Sequence, residues 1–78
     1  PNPAKDIVTL NFTLENEAVI SIAVFDSEGK LIKELWEDVA KAGRNMFTFS
    51  TQALSGGIYF LKITSDERKI LTEKFIKI

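Results

Sequence analysis

Neither cysteine nor histidine occurs among the 78 residues. The first absence excludes disulfides and thiolate metal sites, and the second removes the commonest metal ligand and the usual general base. Neither charge sign is in excess: 10 basic and 11 acidic residues leave a formal net charge of −1. That balance gives no electrostatic reason to expect nucleic acid or an anionic membrane as a partner. No apolar run exceeds four residues, so no transmembrane helix or signal-peptide core is present. Internal repeats and low-complexity tracts are also lacking. What is there is a 45% share of apolar residues, enough for one core in a chain that makes one small domain at most.

The apolar residues recur with period two. Val8, Leu10, Phe12 and Leu14 alternate with Thr9, Asn11 and Thr13, which predicts a strand over 6–14 with one buried face. Pro1-Asn2-Pro3-Ala4 is biased toward extended geometry, and residues 1–5 read as a linker from a larger parent protein, with the domain over 6–78. A start without methionine points to a processed or excised piece, and an end inside a strand pattern points to a natural C-terminus. After a turn at Glu15-Asn16-Glu17, Ala18 to Phe25 is apolar on both parities, which predicts a central strand. Asp26-Ser27-Glu28-Gly29 then predicts a hairpin turn, with the Asp carboxylate bonding back to the backbone and glycine supplying positive φ.

Residues 31–39 are ambiguous. Leu31, Ile32, Leu35, Trp36 and Val39 fit a helical stripe, while short turns to neighbouring strands favour an edge strand. Ala40 to Gly43 reverses the chain, and the next strand, over 44–50, turns Phe47 and Phe49 inward and Met46 and Thr48 outward. Thr51 to Leu54 crosses to Gly56-Gly57, where a tight reversal is expected. The strand that follows puts Tyr59, Leu61 and Ile63 on one face and Ile58, Phe60 and Lys62 on the other. A final hairpin at Ser65-Asp66-Glu67-Arg68 leads into a last strand over 69–78. Six or seven short strands punctuated by turns predict an all-β, antiparallel, immunoglobulin-like sandwich.

No catalytic constellation emerges from these residues. Ser55 beside two glycines resembles a nucleophile turn, but a chain without histidine lacks the usual base to activate it. The acidic residues are scattered over turns and one strand, whereas a calcium site needs several converging oxygens. The chain therefore reads as no enzyme, with no cofactor and no metal. Asn11-Phe12-Thr13 matches a glycosylation sequon, a short pattern with many chance occurrences. Trp36, Tyr59 and Phe60 offer an aromatic platform for a sugar or a peptide, against which Tyr59 reads better as a core ring with its hydroxyl on a backbone group, and Trp36 as either core or an exposed ligand platform.

Several motifs occur here in one order: Pro1-Asn2-Pro3-Ala4, Asp26 with Gly29-Lys30, Ala42-Gly43, Leu54-Ser55-Gly56-Gly57-Ile58-Tyr59, and a lysine-bearing last strand. In this the chain resembles the C-terminal sorting domains of the bacterial type IX secretion system, over essentially its whole length. The resemblance implies a seven-stranded sandwich at the end of a larger secreted protein of a Gram-negative bacterium. It also implies that an outer-membrane translocon reads the domain after the cargo has folded in the periplasm, and that a surface sortase-like peptidase then removes it and attaches the cargo to the cell surface. Carried onto this sequence, the recurrent positions are Gly29, Lys30, Gly43, Gly56, Gly57 and Tyr59, which look structural. The terminal segment Lys74, Phe75, Ile76, Lys77 and Ile78 is the expected recognition element, because a final strand can add to a partner's sheet edge. For the excised domain the same property predicts a strand-mediated dimer. The rival reading is an accessory module of a secreted enzyme that binds polysaccharide through Trp36 or packs on the catalytic domain.

Overall fold

The computed structural model describes residues 6–66 and 68–78. The expected linker over 1–5 lies outside the described residues, as does Glu67. Six antiparallel strands are present among those described: β1 (Ile7–Leu14), β2 (Ala18–Asp26), β3 (Leu31–Ala40), β4 (Gly43–Ser50), β5 (Gly57–Ser65) and β6 (Arg68–Lys77). They form a two-stranded sheet, β1-β4, against a four-stranded sheet in the order β3-β2-β5-β6. This is an immunoglobulin-like sandwich, with β2 and β5 central as their two apolar faces predict.

The core lies between the sheets. From the smaller sheet come Val8, Leu10, Phe12 and Leu14, and from the larger come Ile20, Ile22, Val24, Leu61 and Ile63, each one every second residue of its strand. The period-two pattern thus selects the buried face directly, at roughly 1.5–3 kcal/mol for each large aliphatic or aromatic side chain removed from water. The opposite face of the larger sheet has no covering layer among the described residues, and there Phe25 and Phe60 are register partners and only half-buried.

Local chemistry sets the turns. The Asp26 carboxylate accepts N–H bonds from Glu28 and Lys30, both at 2.9 Å, the Gly29 N–H reaches Asp26 O at 3.0 Å, and Gly29 sits at φ 87°. Strands β2 and β3 accordingly form a hairpin. Strands β5 and β6 form the other, where Asp66 sits at φ 51°, in the left-handed region. At Gly43, φ 100°, the chain leaves β3 and enters the other sheet.

The 31–39 segment is a strand, and its helix-like spacing has a physical origin. Ile22 faces Trp36 while Ala23 faces Glu34, and Val24 faces Lys33 while Phe25 faces Leu31, so Leu35 and Ile32 are extra residues at two register shifts. A β-bulge sets two residues against one and breaks the simple alternation. Leu35 and Trp36 consequently both pack against the core, and apolar doublets spaced like a helical stripe result.

One turn falls elsewhere than the sequence predicts. The reversal is closed by Leu54 N–H on Thr51 O at 3.0 Å, not at Gly56-Gly57, and Gly57 is already the first residue of β5, opposite Lys77. The bond-closed turn sits at the buried Thr51, whose N–H also holds Asp6 O at 2.7 Å.

Candidate functional site

The terminal strand β6 is held by the first half of β5 and by the loop that leads into it. Gly57 pairs with Lys77, Ile58 with Ile76, Tyr59 with Phe75, and Phe60 with Lys74. The Tyr59 ring stacks on Phe75 with centroids 5.5 Å apart, and Phe75 meets Phe49 edge-on at 5.8 Å. The Tyr59 hydroxyl donates to Ser55 O at 2.7 Å, which fixes the loop leading into β5. That loop also borders the chain end, since a Cβ placed on Gly56 would lie 3.6 Å from Lys77 O. The Lys77 ammonium donates to Thr51 Oγ1 at 3.3 Å, joining β6 to the buried start of the same loop. The Leu54–Tyr59 motif and the terminal segment, which are distant in sequence, are therefore one structural unit.

Alternation divides the five terminal residues by role. Phe75 is 1% exposed and belongs to the core. Lys74 and Ile76 face the other way, onto the open face of the larger sheet, and Ile78 at the end is 70% exposed. Next to them on that face stand Ile58 and Phe60 of β5, and then Phe25 of β2 and Leu31 of β3, through the pairs Phe60–Phe25 and Phe25–Leu31. The Lys62 ammonium lies 4.4 Å from the Phe25 ring centroid, a cation–π contact that borders this apolar row. The β2–β3 turn at Ser27–Gly29 forms one wall of a shallow cavity of about 480 Å³ over Phe25 and Phe60. The site is thus an exposed apolar strip running across the sheet to the last strand, edged by Lys62 and Lys74.

The structure gathers some of the residues expected from the sequence and separates others. Gly56, Gly57, Tyr59 and 74–78 cluster together, and Gly29 lies beside the apolar strip. Lys30 is exposed next to it, with its N–H and carbonyl both bonded to Asp26. Gly43 stands apart, opposite Leu14 in the other sheet. Trp36 lies on β3, with two strands between it and β6, half-buried with its ring tilted on Phe47 at 6.3 Å. Phe60 is expected from sequence as part of an aromatic platform with Trp36 and Tyr59, whereas Phe25 and Leu31 are not singled out, nor Ile58 as a surface residue. The signal for Phe25, Ile58 and Phe60 was the second apolar parity of β2 and β5, which shows that a face exists but not which strands share it.

Among the described residues no three His, Cys, Asp or Glu side chains gather to hold a metal ion. No curated protein and no solved structure matches the chain. A family described as the secretion system C-terminal sorting domain does match, over residues 1–78. Its members are non-catalytic domains that take part in protein sorting and interact with secretion machinery. With that match over the full length, on a six-stranded sandwich with the terminal strand held by the glycine-tyrosine motif, the chain belongs to the secretion system C-terminal sorting domain family, the type IX sorting domains that its motifs resemble.

Proposed function

We propose that this domain is read by the type IX outer-membrane translocon through the open face at its last strand. Lys74, Ile76 and Ile78, with Ile58 and Phe60 beside them, are the contact residues. Phe75, Lys77, Gly56, Gly57 and Tyr59 hold that strand in place. After passage, a surface sortase-like peptidase removes the domain at a site near or upstream of Pro1 and leaves the cargo secreted or attached at the cell surface. The observation that carries this reading is the exposure of large apolar side chains in one row: Ile58, Ile76 and Ile78 are 41%, 39% and 70% exposed on a folded domain. Contiguous apolar surface rimmed by polar groups is characteristic of protein-binding sites.

Deleting 74–78 would also remove Phe75 from the core, so the informative variant is Lys74→Glu with Ile76→Glu, which changes only outward-facing residues. A fluorescent reporter carrying residues 1–78 at its C-terminus is expressed in a bacterium with the type IX machinery and located by fractionation. The expected result is export of the parent fusion and periplasmic retention of the double variant, with both domains folded by circular dichroism. Export of the folded double variant at the parent level overturns the assignment of recognition to this face.

A further inference from the structure

The two sheets differ in width. Four strands face two, and at about 4.8 Å between neighbouring strands the larger sheet extends well past the smaller one. On the β3 flank this leaves two adjoining grooves of about 500 and 480 Å³ that share Phe47. Trp36 lines one and Ile32 and Leu35 the other, so apolar side chains of the bulged strand form the floor. Among the described residues, Lys33, Lys41 and Arg44 are the charged ones lining the two grooves, and no acidic side chain lines either.

The two strands that border this seam have different edges. Two bulges interrupt β3, a device that blunts an edge against further pairing. The register of β4 with β1 is unbroken from Gly43 to Ser50, and β1 is its strand partner among the described residues. The Thr51 N–H bond to Asp6 O marks that pair as hydrogen-bonded, and antiparallel alternation then directs the N–H and C=O groups of Arg44, Met46, Thr48 and Ser50 away from β1. Strand β4 contains no proline and one charged residue, Arg44, and so lacks the usual protections of an open edge.

We propose that this seam accepts a third strand for the smaller sheet, an extended segment of alternating apolar and acidic residues supplied by a partner protein. Its backbone pairs with the outward groups of β4. Its apolar side chains cover Trp36 and Leu35, and its acidic ones meet Lys33, Lys41 and Arg44. Regular edge, apolar floor and one-signed rim each select a part of that chemistry: main-chain pairing gives affinity, and pockets and charge give specificity.

The test titrates the isotope-labelled 78-residue protein with a capped eight-residue peptide of alternating valine and glutamate, and in parallel with its valine–lysine counterpart. Amide shifts over 44–50 and emission from Trp36, the one tryptophan, report binding. The acidic peptide is expected to perturb those residues and to bind roughly tenfold or more tightly than the basic one. Met46→Pro removes an outward N–H and is expected to abolish binding, and Lys33→Glu with Arg44→Glu to reverse the peptide preference. The second variant keeps the test decisive if the proline variant does not fold. Lys74→Glu with Ile76→Glu, on β6, leaves peptide binding unchanged, which separates this seam from the translocon face. No perturbation of 44–50 at millimolar peptide, equal binding of both peptides, or binding that survives Met46→Pro overturns the proposal. So does a dimer whose amides over 44–50 are protected, because a second copy would then be the occupant.

Discussion

Replacing Phe75 by alanine tests whether the last strand is part of the fold as well as the surface it presents. The ring is 1% exposed and sits against Tyr59 at 5.5 Å and Phe49 at 5.8 Å. Truncating a buried phenylalanine to alanine typically destabilises by about 3–5 kcal/mol, through lost transfer energy and the cavity left behind. Two ring partners, each contributing about 0.5–1.5 kcal/mol beyond area, place Phe75 toward the upper end. A chain of 78 residues has a total stability of roughly 4–12 kcal/mol, so this one change removes a large fraction of it. The assay is urea unfolding followed through Trp36 emission. With a slope of about 1 kcal/mol per molar urea for a small domain, the midpoint falls by about 3–5 M, or the variant is unfolded without denaturant. Ile76→Ala is the control from the opposite face of the same strand and is expected to cost less than about 1 kcal/mol. A one-residue slip of register would exchange the two results, because it turns every side chain to the other face. A loss below about 1 kcal/mol for Phe75→Ala, or a larger loss for Ile76→Ala, refutes the placement of β6.

Tyr59→Phe deletes the bond to Ser55 O and is expected to destabilise by about 0.5–1.5 kcal/mol, a fall in melting temperature of about 4–8 °C per kcal/mol for a domain of this size. Gly43→Ala meets nothing within 4 Å, so the cost comes from the backbone alone: at φ 100° it is about 1–2 kcal/mol, read by the same melt. Asp26→Ala loses the carboxylate that receives Glu28 and Lys30 N–H, and should cost about 1–2 kcal/mol and weaken hydrogen-exchange protection at the β2–β3 turn first.

Much of the strand content was legible in order. Alternation at Val8–Leu14 and at Ile58–Ile63 set the buried faces, and Asp26 to Gly29 encoded its turn in side-chain and backbone chemistry acting over four residues. The Tyr59 hydroxyl contact was legible for a similar reason: a phenol buried in a sandwich needs an acceptor, and a backbone carbonyl four residues away supplies it. Residues 31–39 resisted because bulges superpose a second spacing on the strand period. The position of the reversal after Ser50 is not encoded locally either, since the two glycines permit a turn at Gly56-Gly57 while the bond that closes it depends on where Thr51 is buried.

By itself the sequence determined that this is a small all-β domain without histidine or cysteine chemistry, because composition and period-two patterning are local properties of the chain. Its ordered motifs also carried the family. Only the tertiary structure decided which strands are neighbours, and with them the surfaces. Ile76 stands beside Ile58, and Phe60 beside Phe25, only because β6, β5 and β2 pair in that register. The seam over Trp36 exists only because four strands are set against two. Pairing between strands far apart in sequence follows from the burial of all of them together, and no single segment encodes it.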